Sequence, residues 1–431
     1  MRIGRRSTPS LRGTVTMPGD KSISHRALIF AALAPGESTV TGINAGADVR
    51  ATATMLEQLG VPADFDIANH KVHIEGKGWD GLHEAEQALD AGNSGTSMRL
   101  LLAVCAGIKG ASVLTGDESL RRRPMLRVVV PLRQMGARID GRRYGDRAPL
   151  FVRGGELLGL DYESTVASAQ VKTAVLLAGL RASGTTSVAE PALSRDHTER
   201  MLGAAGVPLV RDGLTVSVPG GSEIRPLSWV VPGDISAAMF FVVGALILPG
   251  SDLTITSVGL NPTRTAALSV LTRMGAEIEI EFKGDESGEP MGDLRIRHSV
   301  LTGTEIGPEE VPALIDEIPA LAIAATQASG ATVIRGASEL RVKESDRLAA
   351  LTRGLTTLGA DVDELDDGLA VRGPSELLGG EVPSQRDHRI AMAFAVAGLA
   401  AAQRVRVRDW TCVETSFPGF LDALDGAREN S

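Results

Sequence analysis

The apolar positions of the chain fall into runs separated by short turns that contain glycine. Two runs, residues 237–249 and 390–402, are almost entirely apolar, whereas apolar and charged residues alternate at 276–280. A long apolar run is typical of a buried helix, alternation predicts a half-buried strand, and glycine commonly ends a helix. The pattern therefore predicts a chain in which short buried helices and strands follow one another.

A helix end, a glycine-containing turn and a strand recur along the whole chain. The copies lie at 34–43, 108–116, 182–190, 248–256 and 328–336, with a weaker sixth copy at 401–409. A second helical signature follows each strand, at 55–61, 131–137, 201–207, 270–276 and 354–360, and weakly at 420–426. Repetition of this kind indicates a fold built from equivalent units. We expect six units, each reading strand–helix–strand–helix–strand–strand.

A longer repeat divides the chain into halves. Residues 18–36 and 232–250 both begin with Pro-Gly-Asp and end with Pro-Gly at the same spacing, about half the chain apart. We therefore expect two domains with three units each, and the chain would cross between them at the two Pro-Gly-Asp turns. Domain I would be discontinuous, 1–19 plus 233–431, and domain II would be 20–232. A ligand site is expected in the cleft between them.

Composition narrows the class of protein. The chain has 431 residues and a net charge of −9, and only 3% of its residues are aromatic, which argues against nucleic-acid binding. Its two cysteines cannot build a disulfide framework or a zinc site. The apolar runs are shorter than a bilayer span and the N-terminal segment lacks a signal-peptide core. We expect a cytoplasmic protein without a nucleic-acid or membrane partner.

The informative polar residues stand at the predicted helix starts. These starts lie at 20–26, 92–99, 166–172, 232–238, 313–319 and 385–391. Free backbone N–H groups at a helix start attract anions, and several starts add cations such as Lys21, Arg26 and Arg389. Each start alone is equally compatible with helix capping or a solvated surface. Together they predict a small polyanionic ligand that carries phosphate and carboxylate groups.

Two acidic segments add candidates for proton transfer. Asp316 and Glu317 interrupt an apolar segment, where a carboxylate needs a partner or a role. In the segment 341–347, the four-residue spacing predicts that Lys343 and Arg347 share one helical face, with Glu344 or a ligand between the two cations. The chain has no Walker A sequence and no zinc-protease motif, so neither a nucleoside triphosphate nor a catalytic metal is expected.

Six segments identify a resemblance to a known family. GDKSISHRAL, GNSGTSMR, RRRPM, ASAQVK, RVKESDR and DHRIAM occur in this order. From about residue 10 to about residue 424, the chain resembles the 5-enolpyruvylshikimate-3-phosphate synthases, enolpyruvyl transferases of the shikimate pathway. The resemblance implies an α/β (α+β) fold, an inside-out α/β barrel of two domains with three βαβαββ units each. It also implies a monomer that needs no metal or organic cofactor.

The family transfers the enolpyruvyl group of phosphoenolpyruvate to the 5-hydroxyl of shikimate 3-phosphate and releases phosphate. The resemblance implies that Asp316 is the base, Glu344 the acid/base partner, and Lys21 an assistant in protonation and phosphate departure. Phosphoenolpyruvate would contact Lys21, Asn93, Gly95, Thr96, Arg123, Gln170, Arg347, His388 and Arg389. Shikimate 3-phosphate would contact Lys21, Ser22, Arg26, Ser168, Ala169, Gln170, Ser194, Arg195, Asp316 and Lys343.

Some positions depart from the pattern of other members. Ala169 stands where some members have a second serine, and Thr415 stands where some have a lysine that contacts phosphoenolpyruvate. Gly95 leaves the space that alanine fills in glyphosate-insensitive members, whereas Leu100 stands where many have proline. We expect inhibition by glyphosate.

Two other functions compete with this interpretation. The first is transfer of enolpyruvyl to UDP-N-acetylglucosamine, but residues 116–125 lack the reactive cysteine of that enzyme. The second is a non-catalytic anion-binding or RNA-end-processing protein on a related repeat fold. Negative charge and few aromatic residues count against RNA binding, and the presence of Lys21, Asp316 and Glu344 counts against a non-catalytic protein.

Overall fold

The computed structural model describes residues 1–3 and 10–429. Its strands are β1 (Arg2–Ile3), β2 (Arg12–Thr16), β3 (Gly36–Thr41), β4 (Ala63–Asp66), β5 (Lys71–Gly76), β6 (Leu89–Asp90), β7 (Gly110–Thr115), β8 (Arg138–Gly141), β9 (Arg147–Gly154), β10 (Asp161–Glu163), β11 (Thr185–Ala189), β12 (Val210–Asp212), β13 (Thr215–Pro219), β14 (Ser228–Val230), β15 (Asp252–Gly259), β16 (Glu277–Glu286), β17 (Glu289–Arg297), β18 (Glu305–Ile306), β19 (Gly330–Ile334), β20 (Asp361–Leu365), β21 (Gly368–Gly373), β22 (Gly380–Pro383) and β23 (Val405–Arg408).

The helices are α1 (Lys21–Leu33), α2 (Ala47–Gln58), α3 (Gly95–Gly107), α4 (Leu126–Gln134), the one-turn α5 (Arg142–Gly145), α6 (Ala169–Arg181), α7 (His197–Ala204), α8 (Ile235–Ile247), α9 (Ala266–Arg273), α10 (Val311–Leu314), α11 (Ile318–Gln327), α12 (Arg347–Thr357), α13 (His388–Ala400) and α14 (Phe420–Glu429). Short 3-10 helices lie at Trp79–Gly81, Leu120–Arg122, Ser338–Val342 and Trp410–Thr415. None of the helices described is long and apolar enough to cross a membrane.

The chain folds into two compact units. Unit 1 contains Met1–Pro18, Pro232–Gly284 and Pro290–Ser431, and unit 2 contains Gly19–Val231 and Asp285–Glu289. Each unit has its own hydrophobic core, in which the helices that follow the first strand of each repeat are buried on all sides. Such all-round burial explains why their sequences are continuously apolar instead of amphipathic.

The sheets repeat one topology. Unit 2 holds three four-stranded sheets, β14-β3-β5-β4, β6-β7-β9-β8 and β10-β11-β13-β12. Unit 1 holds the four-stranded sheets β16-β17-β15-β2 and β18-β19-β21-β20, and the three-stranded sheet β1-β23-β22. In β10-β11-β13-β12, for example, the first two strands are parallel and the other pairs antiparallel. The predicted α/β class and its repeated units are confirmed.

Two strands join sheets that are remote from them in sequence. β2 runs parallel to β15 in unit 1, although the helix that follows β2 belongs to unit 2. β14 runs parallel to β3 in unit 2, although the helix that follows β14 belongs to unit 1. Each sheet thereby obtains the first strand of its repeat from the other end of the sequence, at the two Pro-Gly-Asp turns.

The buried helices share a way of starting. A short polar side chain precedes five of them (α1, α3, α6, α8 and α13) and accepts a hydrogen bond from a backbone N–H of the first turn; these capping residues are Asp20, Ser94, Ser168, Asp234 and Asp387. The buried helix α11 has no such side-chain cap. Aspartate and serine are favoured caps because they satisfy N–H groups that the helix leaves unpaired. The caps fix where each helix begins, and therefore where its first polar residues stand.

The prediction that Lys343 and Arg347 share one helical face is wrong. Lys343 follows the 3-10 helix Ser338–Val342, and α12 begins only at Arg347. Asp346 explains the break, because its Oδ1 accepts a hydrogen bond from Ala349 N at 3.1 Å and so caps a new helix.

Candidate active site

In unit 2, the start of α1 presents Lys21 and Ser22. The cap is Asp20, whose Oδ1 accepts a hydrogen bond from Ile23 N at 2.9 Å. Lys21 Nζ lies 3.0 Å from Asp48 Oδ2, a carboxylate in the first turn of α2. Lys21 is therefore a cation at a helix start, held by one carboxylate on the neighbouring helix.

Arg26, one turn further along α1, is buried and bonded to neutral acceptors. Only 2% of it is exposed. Its Nε donates to Thr198 Oγ1 at 2.8 Å, its Nη2 donates to Thr173 Oγ1 at 2.8 Å, and its Nη1 donates to Ser22 O at 2.9 Å. Burial lowers the pKa of Arg26 to about 10, and the carboxylate of Glu199 opposes that shift. The guanidinium thus stays charged near neutral pH.

Gln170 and the start of α3 form a second polar group in unit 2. Gln170 Nε2 donates to Thr96 Oγ1 at 2.9 Å, and Gln170 Oε1 accepts from Arg99 Nη1 at 2.6 Å. Arg123 Nη2 donates to Asn93 Oδ1 at 2.7 Å. Predicted residues on three separate segments are therefore linked by hydrogen bonds, and Arg99, which sequence reasoning did not include in the site, completes the group.

Gly95 lies against the guanidinium groups of this cluster. A Cβ atom at this position would stand 2.7 Å from Arg99 Nη1 and 3.2 Å from Arg123 Nη1. The first distance is shorter than real Cβ contacts, so a larger residue would displace the arginine side chains. Gly95 therefore keeps the cluster in its present geometry.

The remaining predicted residues of unit 2 lie at the starts of α6 and α7. Ser168 caps α6, and Ala169 is the first residue of that helix. Ser194 precedes α7 and is 5% exposed, and its Oγ has no hydrogen-bond partner among residues 1–3 and 10–429. Arg195 beside it is half-buried. A buried hydroxyl without a protein partner is a group that a ligand or a water molecule can satisfy.

In unit 1, one arginine gathers three carboxylates. Arg347 is 1% exposed; its Nε lies 2.8 Å from Asp387 Oδ2, its Nη2 lies 2.6 Å from Glu344 Oε2, and its Nη1 lies 3.1 Å from Asp316 Oδ1. Burial disfavours the charge, but the carboxylates of Asp387, Glu344 and Asp316 outweigh burial and raise the pKa of Arg347. Both predicted proton-transfer residues thus share a single fixed cation.

Arg389, His388 and Lys343 surround this cluster. Arg389 Nη1 donates to the backbone oxygen of Asp316 at 3.0 Å, and Arg389 Nε lies 3.8 Å from Asp316 Oδ1. His388 is the first residue of α13 and is buried. Burial lowers the pKa of Lys343, while the charge of Asp316 opposes the shift. Five of the six predicted site residues of unit 1 therefore lie in one cluster, and the sixth, His388, stands beside Arg389 at the start of α13.

Some residues of these clusters escaped sequence reasoning. Asp387 and Asp48 pair with predicted cations, and the available signal was an acidic residue at a helix start. Thr415, the position that departs from other members, donates its hydroxyl hydrogen to Cys412 O at 2.7 Å. Within the described part of the chain, the structure contains no group of three or more histidine, cysteine, aspartate and glutamate residues arranged to hold a metal ion.

Comparison with known proteins identifies the family. The family model described as EPSP synthase (3-phosphoshikimate 1-carboxyvinyltransferase) matches residues 6–424. A 3-phosphoshikimate 1-carboxyvinyltransferase of Brevibacillus brevis is 50% identical over 414 residues, which cover 96% of this chain and 97% of that protein. One of a Synechococcus species is 54% identical over 418 residues, covering 96% of this chain and 94% of that protein.

Solved structures agree in fold. An EPSP synthase of Acinetobacter baumannii superposes with a TM-score of 0.88 at 43% identity, covering 99% of this chain and 97% of that one. The enolpyruvyl transferase NikO of Streptomyces tendae superposes with a TM-score of 0.79 at 19% identity, covering 99% and 97%, and shares the fold. The predicted family, enzyme class and function are confirmed, and nothing in these comparisons favours the UDP-sugar or RNA alternatives. The chain belongs to the EPSP synthase family, the 3-phosphoshikimate 1-carboxyvinyltransferases, and is a transferase of the shikimate pathway.

Proposed function

We propose that the residues described in the two units act on the same pair of substrates, which bind side by side. Phosphoenolpyruvate binds Lys21, Asn93, Gly95, Thr96, Arg123, Gln170, Arg347, His388 and Arg389. Shikimate 3-phosphate binds Lys21, Ser22, Arg26, Ser168, Ala169, Gln170, Ser194, Arg195, Asp316 and Lys343. Arginine suits this task because its planar fork matches carboxylate and phosphate oxygens.

The reaction proceeds by addition and elimination. Asp316 accepts the proton of the 5-hydroxyl as its oxygen attacks C2 of phosphoenolpyruvate, while Glu344 delivers a proton to the methylene carbon. The product of this addition is a tetrahedral intermediate. Its C2–O bond to phosphate then breaks and Lys21 stabilises the departing phosphate. Glu344, which gave up its proton in the addition, takes a proton back from the methyl group, and the double bond is restored. Each positioned acid or base contributes about 10²–10⁴-fold to the rate.

The observation that carries this mechanism is the arrangement around Arg347. Asp316 Oδ1 and Glu344 Oε2 lie 3.1 and 2.6 Å from neighbouring nitrogens of the same guanidinium. A shared cation holds the two carboxyl groups in fixed orientations. Two carboxylates at one anion-binding site are what an addition needs when it removes one proton and supplies another.

Release of inorganic phosphate tests the proposal. Wild type and Lys21→Met are supplied with phosphoenolpyruvate and shikimate 3-phosphate in the presence of EDTA, and UDP-N-acetylglucosamine replaces the acceptor in a parallel assay. We expect release only with wild type and only with shikimate 3-phosphate. Release by folded Lys21→Met at the wild-type rate would remove Lys21 from the mechanism, and release with the UDP-sugar alone would overturn the acceptor.

We further propose that the protein is a cytoplasmic monomer with no nucleic-acid partner. The net charge of −9 supports the last point, because it opposes association with a polyanion. Sedimentation at two protein concentrations tests it, and a mass that increases with concentration would contradict the monomer.

Inhibition by glyphosate is the last part of the proposal. Gly95 supports it, because a side chain at residue 95 would displace the guanidinium groups of Arg99 and Arg123, and Arg123 is a proposed phosphoenolpyruvate contact. We expect wild-type turnover to fall in glyphosate, and Gly95→Ala to be less inhibited. Uninhibited wild-type turnover at millimolar glyphosate would contradict this expectation.

A further inference from the structure

A buried group of charges in unit 2 has no part in the mechanism above. Lys172, in the first turn of α6, is 1% exposed. Its Nζ lies 2.8 Å from Glu190 Oε2 and 2.6 Å from Glu199 Oε1. A lysine at this depth is unfavourable unless carboxylates compensate its charge, and sequence patterning alone marks it as a residue of an exposed first turn.

Glu190 connects this group to the start of α6. One of its oxygens, Oε2, faces Lys172, and the other, Oε1, accepts a hydrogen bond from Ser168 N at 3.2 Å. Ser168 caps α6, so its hydroxyl stands at the helix start proposed to bind shikimate 3-phosphate. The position of that hydroxyl therefore depends on a carboxylate that Lys172 holds in place.

Glu199 connects the same group to Arg26. It follows Thr198 on α7, and Thr173 follows Lys172 on α6; the two threonine hydroxyls accept hydrogen bonds from Arg26 at 2.8 Å each. The two hydroxyls also lie 2.6 Å from each other. Thr198 and Thr173, which are next in sequence to Glu199 and Lys172, thus hold the Arg26 guanidinium in place.

We propose that Lys172 is a positioning residue for shikimate 3-phosphate. Lys172 fixes Ser168 through Glu190 and, through Glu199, it fixes the two threonine hydroxyls that hold Arg26; it does not touch the ligand. The inference rests on the proposed roles of Ser168 and Arg26. Geometry also separates it from a general packing role, because both contacts of Lys172 lead to residues assigned to the same substrate.

The test compares the effects of substitutions on the two substrates. Lys172→Met keeps the length and apolar stem of the side chain but removes its charge. We expect the KM for shikimate 3-phosphate to rise about tenfold, because small displacements of positioning groups have large effects. The KM for phosphoenolpyruvate is expected to change by less than about twofold. Of its proposed contacts only Gln170 lies on α6, and the side chain of Gln170 is held by Thr96 and Arg99 and not by the ion pair.

Leu176→Ala is the matched control, because Leu176 is fully buried on the same helix α6. It removes packing without changing charge and should lower Tm while leaving both KM values near those of wild type. An equal rise of both KM values in Lys172→Met, or an unchanged KM for shikimate 3-phosphate, would overturn the proposal.

Glu190→Gln provides a second variant in case Lys172→Met fails to fold. The amide oxygen can still accept from Ser168 N, whereas the charge facing Lys172 is lost, so a smaller but equally selective rise is expected. A folded Glu190→Gln without any selective rise would overturn the proposal.

Ser168→Ala separates this inference from the function on which it rests. If that variant leaves the KM for shikimate 3-phosphate unchanged, the proposed role of Ser168 fails and the inference falls with it. If Ser168→Ala raises this KM but Lys172→Met does not, only the inference fails. If both single variants raise this KM, the double variant Ser168→Ala with Lys172→Met should raise it by less than the product of the two single effects. The reason is that both changes act on one contact.

Discussion

Arg347 in unit 1 and Arg26 in unit 2 are equally buried but are held in opposite ways. Arg347 lies among three carboxylates, whereas Arg26 donates to two threonine hydroxyls and a backbone oxygen. Carboxylates neutralise the charge of an arginine within the protein, whereas neutral acceptors leave its electrostatic field available for a ligand. The comparison teaches that Arg347 orients the carboxyl groups proposed for proton transfer, whereas Arg26 keeps its charge for an anionic ligand.

The largest expected effect is on turnover, at the carboxylates of unit 1. Asp316→Asn and Glu344→Gln keep size and polarity but remove the proton-transfer group, so kcat should fall by about 10²–10⁴-fold for each. Phosphate release at saturating concentrations of both substrates measures the effect. A kcat within twofold of wild type would show that the carboxylates serve only to hold Arg347.

The next effect is on stability and tests the comparison directly. Arg347→Met leaves Asp387, which is 0% exposed, without its cation, and should cost about 3–5 kcal/mol in the free energy of unfolding. Arg26→Met leaves hydroxyls that already lie 2.6 Å apart and should cost about 1–3 kcal/mol. Urea denaturation measures both, and equal losses would break the distinction between the two sites.

Lys343 allows a test of the pH dependence. Its pKa is lowered from 10.5, chiefly by burial, so its charge disappears at a lower pH than that of an exposed lysine. The attraction for anionic shikimate 3-phosphate should therefore decline as pH rises through that lowered pKa. In Lys343→Arg the cation persists, and the alkaline decline of kcat/KM should move to higher pH. Identical alkaline profiles would remove Lys343 from substrate binding.

The smallest expected effect is on the pH dependence of stability and concerns His25, which is buried near the cations Lys21 and Arg26. Burial and then the charges of Lys21 and Arg26 lower its pKa well below 6.5, so the folded state keeps the ring neutral. Protonation favours unfolding, and this contribution to stability is complete above pH 6.5 and lost as pH falls toward the lowered pKa. His25→Gln should reduce the loss of stability between pH 7 and pH 5 by about 1 kcal/mol. An unchanged loss would contradict the lowered pKa of His25.

Much of the fold follows from local sequence rules. Continuous apolar runs such as 237–249 are helices buried on all sides, and the alternating segment after Ala276 is the strand β16. The segment 341–347 shows the limit of such rules, because spacing predicted one helix while the cap at Asp346 divides it. Side-chain capping competes with periodicity and depends on a few atoms.

The sequence by itself determined the family, the α/β repeats and the residue types at the helix starts, because hydrophobic periodicity and short motifs are local properties. Only the tertiary structure decided which charges meet. Lys172 and Glu190 are separated along the chain and pair inside unit 2, while Arg347 meets Asp316 and Asp387 inside unit 1. Burial makes such pairs obligatory, and the pattern of apolar residues does not specify which carboxylate each cation finds.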